Sequence, residues 1–297
     1  RIWKEIETLA KRHHKKDARA WLNELMKTKT FKNKEAMMQV FTNVLKSADL
    51  ALPNFFSLLP KTNYEVLPMQ SYKEKDSPAA YYFSPAVDGS RKGVFYVNTF
   101  LPEIRETFTA KVLAFHEAVP GHHLQIAIAQ EVQDIPEFQK HLGITSFVEG
   151  WALYSEGLAQ EMGMYKDDFD LLGRQIYDMW RSLRLVVDTG IHSSHYRWTR
   201  EQAIEIFEKY TTKGKNEIEN EIDRYITWPG QALAYKIGEQ EILRLRKLAY
   251  DTLKERFDLK EFHKAILQNG AVPLSVLQNQ IEEFIQTQSN TSTVSVQ

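Results

Sequence analysis

The stretch Phe115-His116-Glu117-Ala118-Val119-Pro120-Gly121-His122-His123-Leu124-Gln125 holds three imidazoles, one carboxylate and a Pro-Gly pair. Zinc hydrolases commonly carry His-Glu-x-x-His on a helix, where both histidines bind the metal and the glutamate activates water. Here no histidine stands four residues after His116. On a straight helix His122 would point about 240° away from His116, and His123 would lie roughly 10 Å along the axis. Neither could then share a zinc ion with His116, because Zn–N bonds are only about 2 Å long.

The Pro-Gly pair predicts how the histidines can nevertheless meet. Pro120 removes a helical N–H and its ring clashes with the carbonyl four residues earlier. Val119, which precedes a proline, is pushed away from the helical conformation, and Gly121 tolerates the dihedral angles of a break. We therefore predict a kink or bulge that absorbs two extra residues and places His122 as the second ligand. His123 remains the alternative ligand.

Composition restricts which sites the chain can form. The 297 residues carry a formal net charge of −1, so neither nucleic acid nor an anionic membrane is an expected partner. The sequence has no cysteine, which excludes disulfides, thiolate zinc sites and cysteine nucleophiles. Any metal must be bound by histidine and carboxylate, which favours a catalytic site over a closed structural one. No run of about 20 apolar residues is present to span a membrane.

The ends of the sequence suggest a piece of a longer protein. The chain opens with Arg1-Ile2-Trp3, which is helical in character and lacks an initiator methionine. We expect residues 1–50 to be helices that remain from a larger N-terminal region, residues 51–286 to form the catalytic domain, and residues 287–297 to be a disordered tail. A periplasmic or lipoprotein-anchored location is expected if a signal precedes the chain, and a cytoplasmic one otherwise. The sequence does not indicate an oligomeric state.

A small sheet is predicted just ahead of the histidine stretch. Residues 64–68, 79–85 and 93–98 have strand-like composition, and we expect them to form an antiparallel sheet. In zinc peptidases the edge of such a sheet can hold an extended peptide, so Tyr82 and Asn98 are candidate substrate-binding residues. The alternative is a capping hairpin without a role in binding.

The remaining signals predict helices. Pro102 should begin a long helix that runs into His116. Residues 170–189 should form another, with Gly190 at the position just after its end. Thr199, with Gln202 three residues later, predicts a capping box. A last helix is expected from about residue 274 to residue 285.

A site with two histidines needs a third ligand. Glu149 and Glu156 lie in the apolar, aromatic stretch of residues 147–158, seven residues apart and therefore on one helical face. One of them could bind the metal while the other orients a histidine. The alternative without a functional role is that both glutamates face solvent on an amphipathic helix.

Three further residues are candidates for binding charge in a substrate or an intermediate. Arg184 and His192 could bind a substrate carboxylate or a developing oxyanion, although arginines more often form surface ion pairs. A helix that starts after Pro229 would present Gln231 and Tyr235 together, and a phenol near zinc can donate a hydrogen bond to an oxyanion. Tyr235 could equally be a core tyrosine.

The motifs resemble a bacterial family of unknown function, DUF885. Its hallmark His-Glu-Ala-x-Pro-Gly-His-His-x-Gln matches residues 116–125, and its companion motifs match residues 93–98, 149–154, 184–192 and 231–238. More distantly, the chain is similar to the thimet oligopeptidase and carboxypeptidase Taq zinc peptidases. That resemblance implies a mainly α gluzincin fold, selects Glu149 of Phe147-Val148-Glu149 as the third ligand, and supports Tyr235. Those families carry an unbroken His-Glu-x-x-His, so the insertion is a departure.

Together these arguments predict a zinc-dependent metallopeptidase that hydrolyses short peptides. One zinc ion per chain would be bound by His116, His122 and Glu149. Glu117 would act as the general base, and Tyr235 and His192 would stabilise the oxyanion. The alternatives are a zinc hydrolase of a non-peptide amide or ester, and a peptide-binding protein without catalysis.

Overall fold

The chain folds into α-helices that enclose one small sheet. A computed structural model describes residues 1–75 and 77–290. Within these residues the helices are α1 Ile2–Arg12, α2 Ala18–Thr28, α3 Lys34–Ala51, α4 Ser71–Glu74, α5 Ala110–Glu117, α6 His122–Glu131, α7 Glu137–His141, α8 Thr145–Glu161, α9 Asp168–His192, α10 Arg200–Tyr210, α11 Lys215–Thr227, α12 Ala234–Leu253, α13 Leu259–Leu267 and α14 Leu274–Asn290. The strands are β1 Tyr64–Pro68, β2 Ala80–Phe83 and β3 Gly93–Val97.

Helix α8 lies at the centre of the larger core. Ten of its 17 residues are buried. Phe147, Trp151, Tyr154 and Leu158 share one face, and other buried residues lie on the remaining faces. It packs along α12 and against α5 and α6. Helices α3, α13 and α14 and the sheet complete this core, in which large aromatic side chains fill the space around α8. The predicted mainly helical fold is confirmed.

A second apolar core joins the first helices to α9. Side chains of α1 and α2 pack there with those of α9, α10 and α11. Capping side chains define where these helices begin: Asp17 and Asp167 accept hydrogen bonds from the first backbone N–H groups of α2 and α9. The predicted capping box of Thr199 and Gln202 is present at the start of α10. The N-terminal residues are helical as predicted.

The sheet is mixed, and the prediction of an antiparallel sheet is wrong. Its strand order is β1-β3-β2, with β2 antiparallel and β1 parallel to β3. Strand β3 is buried along most of its length and takes the central place, whereas β1 alternates between half-buried and exposed residues, as an edge strand does. Because the chain passes through α4 to the far edge before the β2–β3 hairpin returns, β3 runs in the direction of β1.

The predicted long helix from Pro102 does not form. Two short 3-10 turns, Pro102–Ile104 and Thr107–Thr109, precede α5 instead. The intervening backbone is held in an extended pairing, in which Phe31 N–H donates to Arg105 O and Thr107 N–H donates to Lys29 O. This tertiary pairing satisfies backbone groups that a continuous helix would need for itself.

Two predicted helix ends are also wrong. Gly190 lies inside α9, which continues to His192. The ring of Trp198 packs so closely that a Cβ atom on Gly190 would lie 2.1 Å from it, so glycine is required here for close approach. Helix α14 extends to Asn290, so residues 287–290 are not a disordered tail; the rest of that prediction lies outside the described residues.

No helix within residues 1–75 and 77–290 is long and apolar enough to cross a bilayer.

Candidate metal centre

The Pro-Gly pair separates two helices, as the sequence predicts. Helix α5 ends at Glu117 and α6 begins at His122. The His123 N–H donates to Ala118 O across the break at 3.0 Å. A Cβ atom on Gly121 would lie 2.0 Å from the carbonyl oxygen of His116, so only glycine lets the chain turn this tightly.

The break between α5 and α6 is hydrogen-bonded to α8. The carbonyl oxygen of Pro120 accepts hydrogen bonds from Trp151 Nε1 at 2.9 Å and from Ser155 Oγ at 3.2 Å. Both donors are buried. Since Glu149 stands on the same helix, these bonds fix the histidine stretch relative to the carboxylate that faces it.

Three side chains converge at this point. His116 Nε2 lies 3.4 Å from Glu149 Oε2, and His122 Nε2 lies 3.5 Å from the same oxygen. One ligand-type atom from each of the three side chains lies within 4.8 Å of those of the other two. Tetrahedral ligands bound to zinc at about 2.0–2.2 Å are themselves roughly 3.3–3.6 Å apart. The spacing of Glu149 from both imidazoles therefore suits a zinc ion.

The bonding of these atoms also suits a metal. Glu149 Oε2 is buried and has no hydrogen-bond partner among the described residues. A buried carboxylate oxygen without a partner is unfavourable unless a cation satisfies it. The donor set of two imidazoles and one carboxylate is that of catalytic zinc sites, so these residues fit the ion.

Glu156 stands behind His116. Its Oε1 lies 2.7 Å from His116 Nδ1, so Nδ1–H donates to the carboxylate and Nε2 is left to face the metal position. Burial acts to lower the pKa of His116, but Glu149 and Glu156 outweigh it and raise that pKa to about 9. The same negative field favours a bound cation. Glu156 is thus an orienting residue and Glu149 a ligand candidate, a choice that helical spacing left open and that the resemblance to zinc peptidases predicts.

We expect Glu156→Gln to weaken zinc binding by about 10- to 100-fold, because the amide orients His116 without the carboxylate's charge. Competition with a fluorescent zinc chelator measures this affinity. Glu161→Gln is the matched control, since Glu161 stands on the same helix and pairs with Arg246 instead. Unchanged affinity in Glu156→Gln would contradict the orienting role.

His123, the alternative ligand, is engaged elsewhere. Its Nδ1 accepts from the hydroxyl of Tyr82 at 2.8 Å, and its Nε2 donates to Thr62 O at 3.1 Å. Burial lowers the pKa of His123 to about 4, so the ring stays neutral. One nitrogen bonds β2 and the other bonds the loop before β1, which favours His122 as the ligand.

The two sheet residues predicted to bind substrate have structural contacts. The hydroxyl of Tyr82 donates a hydrogen bond to His123 Nδ1. Asn98 is fully buried, and its Nδ2 donates to the carbonyl oxygens of Glu74, Ser77 and Pro78. Its Oδ1 accepts from the Phe100 N–H at 3.0 Å. No contact of Asn98 therefore supports its assignment to substrate binding, which stays a prediction.

Tyr235 lies beside His116. Its ring stacks parallel to that of His116, with centroids 6.3 Å apart. Burial raises the pKa of Tyr235, and Glu149 adds to this rise, so the hydroxyl keeps its proton as a hydrogen-bond donor. The guanidinium carbons of Arg184 and Arg181 lie 4.1 and 4.4 Å from the ring centroid.

His192 is not brought to this position by any contact of the described residues. Its Nε2 donates to the backbone carbonyl of Tyr225 at 3.0 Å, at the exposed end of α9. Eight residues of helix separate it from Arg184, which is about 12 Å along the axis. The structure thus offers no support for His192 as an oxyanion donor.

Two glycines set the distance between Tyr235 and Glu149. Helices α8 and α12 touch where Gly150 meets Gly238: a Cβ on Gly238 would lie 1.8 Å from Ser146 O, and one on Gly150 would lie 2.5 Å from Gly238 Cα. Gly150 follows Glu149 directly, and Gly238 lies one helical turn after Tyr235. The close backbone approach at Gly150 and Gly238 therefore holds Tyr235 on α12 near Glu149 on α8.

Sequence reasoning gave no role to two features beside the site. Arg181 lies one turn before Arg184 on the same face of α9, a spacing that could have indicated a pair. Lys236 is buried and ion-paired with Asp178 and Glu239, which links α12 to α9 next to Tyr235. Neither partner of that lysine could be identified before the helices were placed together.

One protein family matches nearly the whole chain. The model of DUF885, described as a bacterial protein of unknown function, matches residues 1–281. The chain belongs to this family. A search among curated proteins finds no match for the DUF885 chain.

Two solved structures resemble the DUF885 chain. One is named as the "putative lipoprotein" from Colwellia psychrerythraea, with a TM-score of 0.92, 34% identity, and coverage of 96% of this chain and 50% of the other. The second, a "putative lipoprotein of unknown function" from Shewanella oneidensis, has a TM-score of 0.77 and 20% identity, with coverage of 95% and 54%. The DUF885 chain therefore spans about half the length of these relatives, and the second likeness shows the fold alone.

Proposed function

We propose that the chain is a zinc-dependent metallopeptidase of gluzincin type that hydrolyses peptide bonds in short peptides. The observation that carries this proposal is the convergence of His116, His122 and Glu149 within 4.8 Å, directly beside Glu117. A cluster that served only the fold, or only metal binding, would not need the carboxylate of Glu117 next to His116. Nor would it leave Glu149 Oε2 buried without a hydrogen bond.

The side chains around the cluster divide the chemical work. When bound, zinc supplies a Lewis acid that polarises a carbonyl and lowers the pKa of water toward neutrality. Glu117, 8% exposed at the end of α5, accepts a proton from the attacking water and delivers it to the leaving amine. The hydroxyl of Tyr235 donates a hydrogen bond to the oxyanion that forms at the scissile carbonyl. Glu156 keeps the ring of His116 in one tautomer throughout.

We also propose a periplasmic or lipoprotein setting for this activity. The two solved relatives carry the word lipoprotein in their names. Fractionation of cells that express the whole protein, followed by globomycin treatment to block lipoprotein maturation, tests this. Recovery of the protein solely in the cytoplasmic fraction would contradict it.

Metal content of the purified chain tests the ligand set. We expect about one zinc per chain by plasma mass spectrometry, with loss of the metal in His116→Ala and in His122→Ala. His123→Ala is the matched control and should keep its zinc, because both nitrogens of His123 bond within the protein. Loss of zinc in the His123 variant with retention in His122→Ala would overturn the assignment.

Substrate panels separate peptide hydrolysis from its alternatives. A zinc-loaded chain that cleaves esters or non-peptide amides but no peptide would be another class of hydrolase. A chain that binds peptides and zinc without cleaving any substrate would be a binding protein. We expect release of amines from a library of peptides of about four to eight residues, detected by mass spectrometry.

A further inference from the structure

Arg181 and Arg184 lack the anionic partner that such residues normally have. Arg181 is half-buried and makes no hydrogen bond or ion pair with any described residue, and its Nε is buried without a partner. Arg184 is 4% exposed; its Nη2 donates to Gln231 Oε1 at 3.0 Å, while its Nε is also without a partner. Neither guanidinium lies within 4.0 Å of a carboxylate in the described part of the chain.

Other arginines of the chain show what the ordinary arrangement is. Arg12, Arg200 and Arg246 each donate to a carboxylate, at 2.8, 2.6 and 2.6 Å respectively. Those pairs lie nearer the surface, where an unpaired arginine would be least unfavourable. A guanidinium that is withdrawn from water without a partner is unfavourable, and two adjacent ones also repel each other. An anionic ligand would relieve both effects.

The two arginines lie at a defined distance from the proposed reaction centre. Both guanidinium groups stack on the ring of Tyr235, at 4.1 and 4.4 Å from its centroid. That centroid is 6.3 Å from the ring of His116. The guanidinium carbons therefore lie at most about 11 Å from the centre of that imidazole. A guanidinium–carboxylate contact takes up about 4 Å of this distance. Since one extended residue spans about 3.5 Å, the remainder accommodates one or two residues of a peptide.

We propose that Arg181 and Arg184 bind the free C-terminal carboxylate of a peptide substrate, and that the chain is a carboxy-terminal exopeptidase that removes one or two residues. This inference rests on the proposed peptidase function and specifies its substrates. The planar guanidinium matches a carboxylate with two parallel hydrogen bonds, which a lysine would not provide. Glu149 and Glu156 attract Arg181 without a hydrogen bond to it, and zinc would compensate their charge instead.

Binding to a catalytically disabled chain tests the proposal without turnover. In zinc-loaded Glu117→Gln, titration calorimetry compares a pentapeptide with a free C-terminal acid, its C-terminal amide, and an amide whose last residue is glutamate. We expect the acid to bind about 10- to 100-fold more tightly than the plain amide, since charge-assisted hydrogen bonds contribute this much. The glutamyl amide distinguishes a side-chain carboxylate from the terminal one and should bind like the plain amide.

Variants then assign the effect to the two arginines. Arg181→Gln and Arg184→Gln should each remove most of the preference for the acid and leave binding of the amide unchanged. Arg184→Lys should restore part of the preference, because it returns the charge but not the paired donors. Arg174→Gln is the control on the same helix, where Arg174 bonds Gln160; it should behave as the parent does.

The possible results separate this inference from the proposed function. Equal binding of acid and amide, no binding of either, or equal loss of both in the arginine variants overturns the carboxylate site. Binding that prefers the glutamyl amide overturns the terminal carboxylate as its ligand. If the acid is preferred but the parent chain, which keeps Glu117, cleaves no peptide, the proposed peptidase function is contradicted while the carboxylate site is supported. With turnover, we expect products shortened by one or two C-terminal residues; internal cleavage of the amide at the same rate would overturn the exopeptidase assignment.

Discussion

Turnover of a peptide substrate should fall by about 10²- to 10⁴-fold when Glu117 is replaced by Gln, while one zinc ion per chain is retained. The loss is expected because an amide cannot accept the proton of the attacking water, and this is the usual contribution of a general base. The substitution keeps the size and shape of the side chain. The effect therefore reports on proton transfer rather than on the packing of α5.

Retention of zinc is expected because Glu117 is not one of the converging ligands. The cluster consists of His116, His122 and Glu149. Glu117 is not a member of this cluster, so its replacement removes no ligand. Steady-state kinetics and metal analysis on the same preparation measure both parts of the prediction.

A matched control uses a glutamate far from this site. Glu205 is exposed on α10, and Glu205→Gln should leave both turnover and zinc content unchanged. Two results would contradict the mechanism: a Glu117→Gln variant that turns over like the parent, or one that has lost its metal. The first would assign the base elsewhere, and the second would make Glu117 a ligand.

The break between α5 and α6 could be predicted because local rules dominate there. A proline ends a helix through its missing N–H and its ring, and a glycine tolerates the tight turn that follows. Both effects act within a few residues, so they hold whatever surrounds them. Prediction of the convergence of His116 and His122 needed nothing more than this break and the length of the stretch.

The identity of the third carboxylate could not be decided by the same rules. Glu149 and Glu156 share one face of α8, and their spacing alone allows either to face the histidines. The choice depends on where along α8 the Pro120 carbonyl is held, by Trp151 and Ser155. That is a contact between distant parts of the chain, which no local pattern encodes.

Errors in the sheet and around it have a related cause. The strand-like segments predict an antiparallel sheet, but the mixed strand order depends on the burial of β3 and on the path through α4. Likewise Gly190 resembles a helix terminus until Trp198 is placed against it. In each case contacts between distant parts of the chain override a local preference.

Replacement of Gly238 by Ala should destabilise the chain by about 2 kcal/mol or more and lower turnover at least roughly tenfold. In the interior of a helix alanine is normally favoured over glycine by about 1 kcal/mol. Here the new Cβ would lie 1.8 Å from Ser146 O and 2.7 Å from Gly150 Cα, both backbone atoms that cannot rotate aside. The two helices must therefore separate, and the overpacking outweighs the gain in helix propensity.

A second glycine in a helix provides the control for this argument. A Cβ on Gly157, on the opposite end of α8, would meet only the flexible Arg174 Nη2 at 3.4 Å, so Gly157→Ala should be neutral or stabilising. Chemical denaturation measures both variants, and kinetics with zinc analysis shows whether Tyr235 has moved from Glu149. A Gly238→Ala chain as stable and active as the parent would mean that the glycine contact does not set the distance between phenol and ligands. Loss of turnover with zinc retained would show instead that α12, which carries no metal ligand, is positioned by this contact for the chemistry.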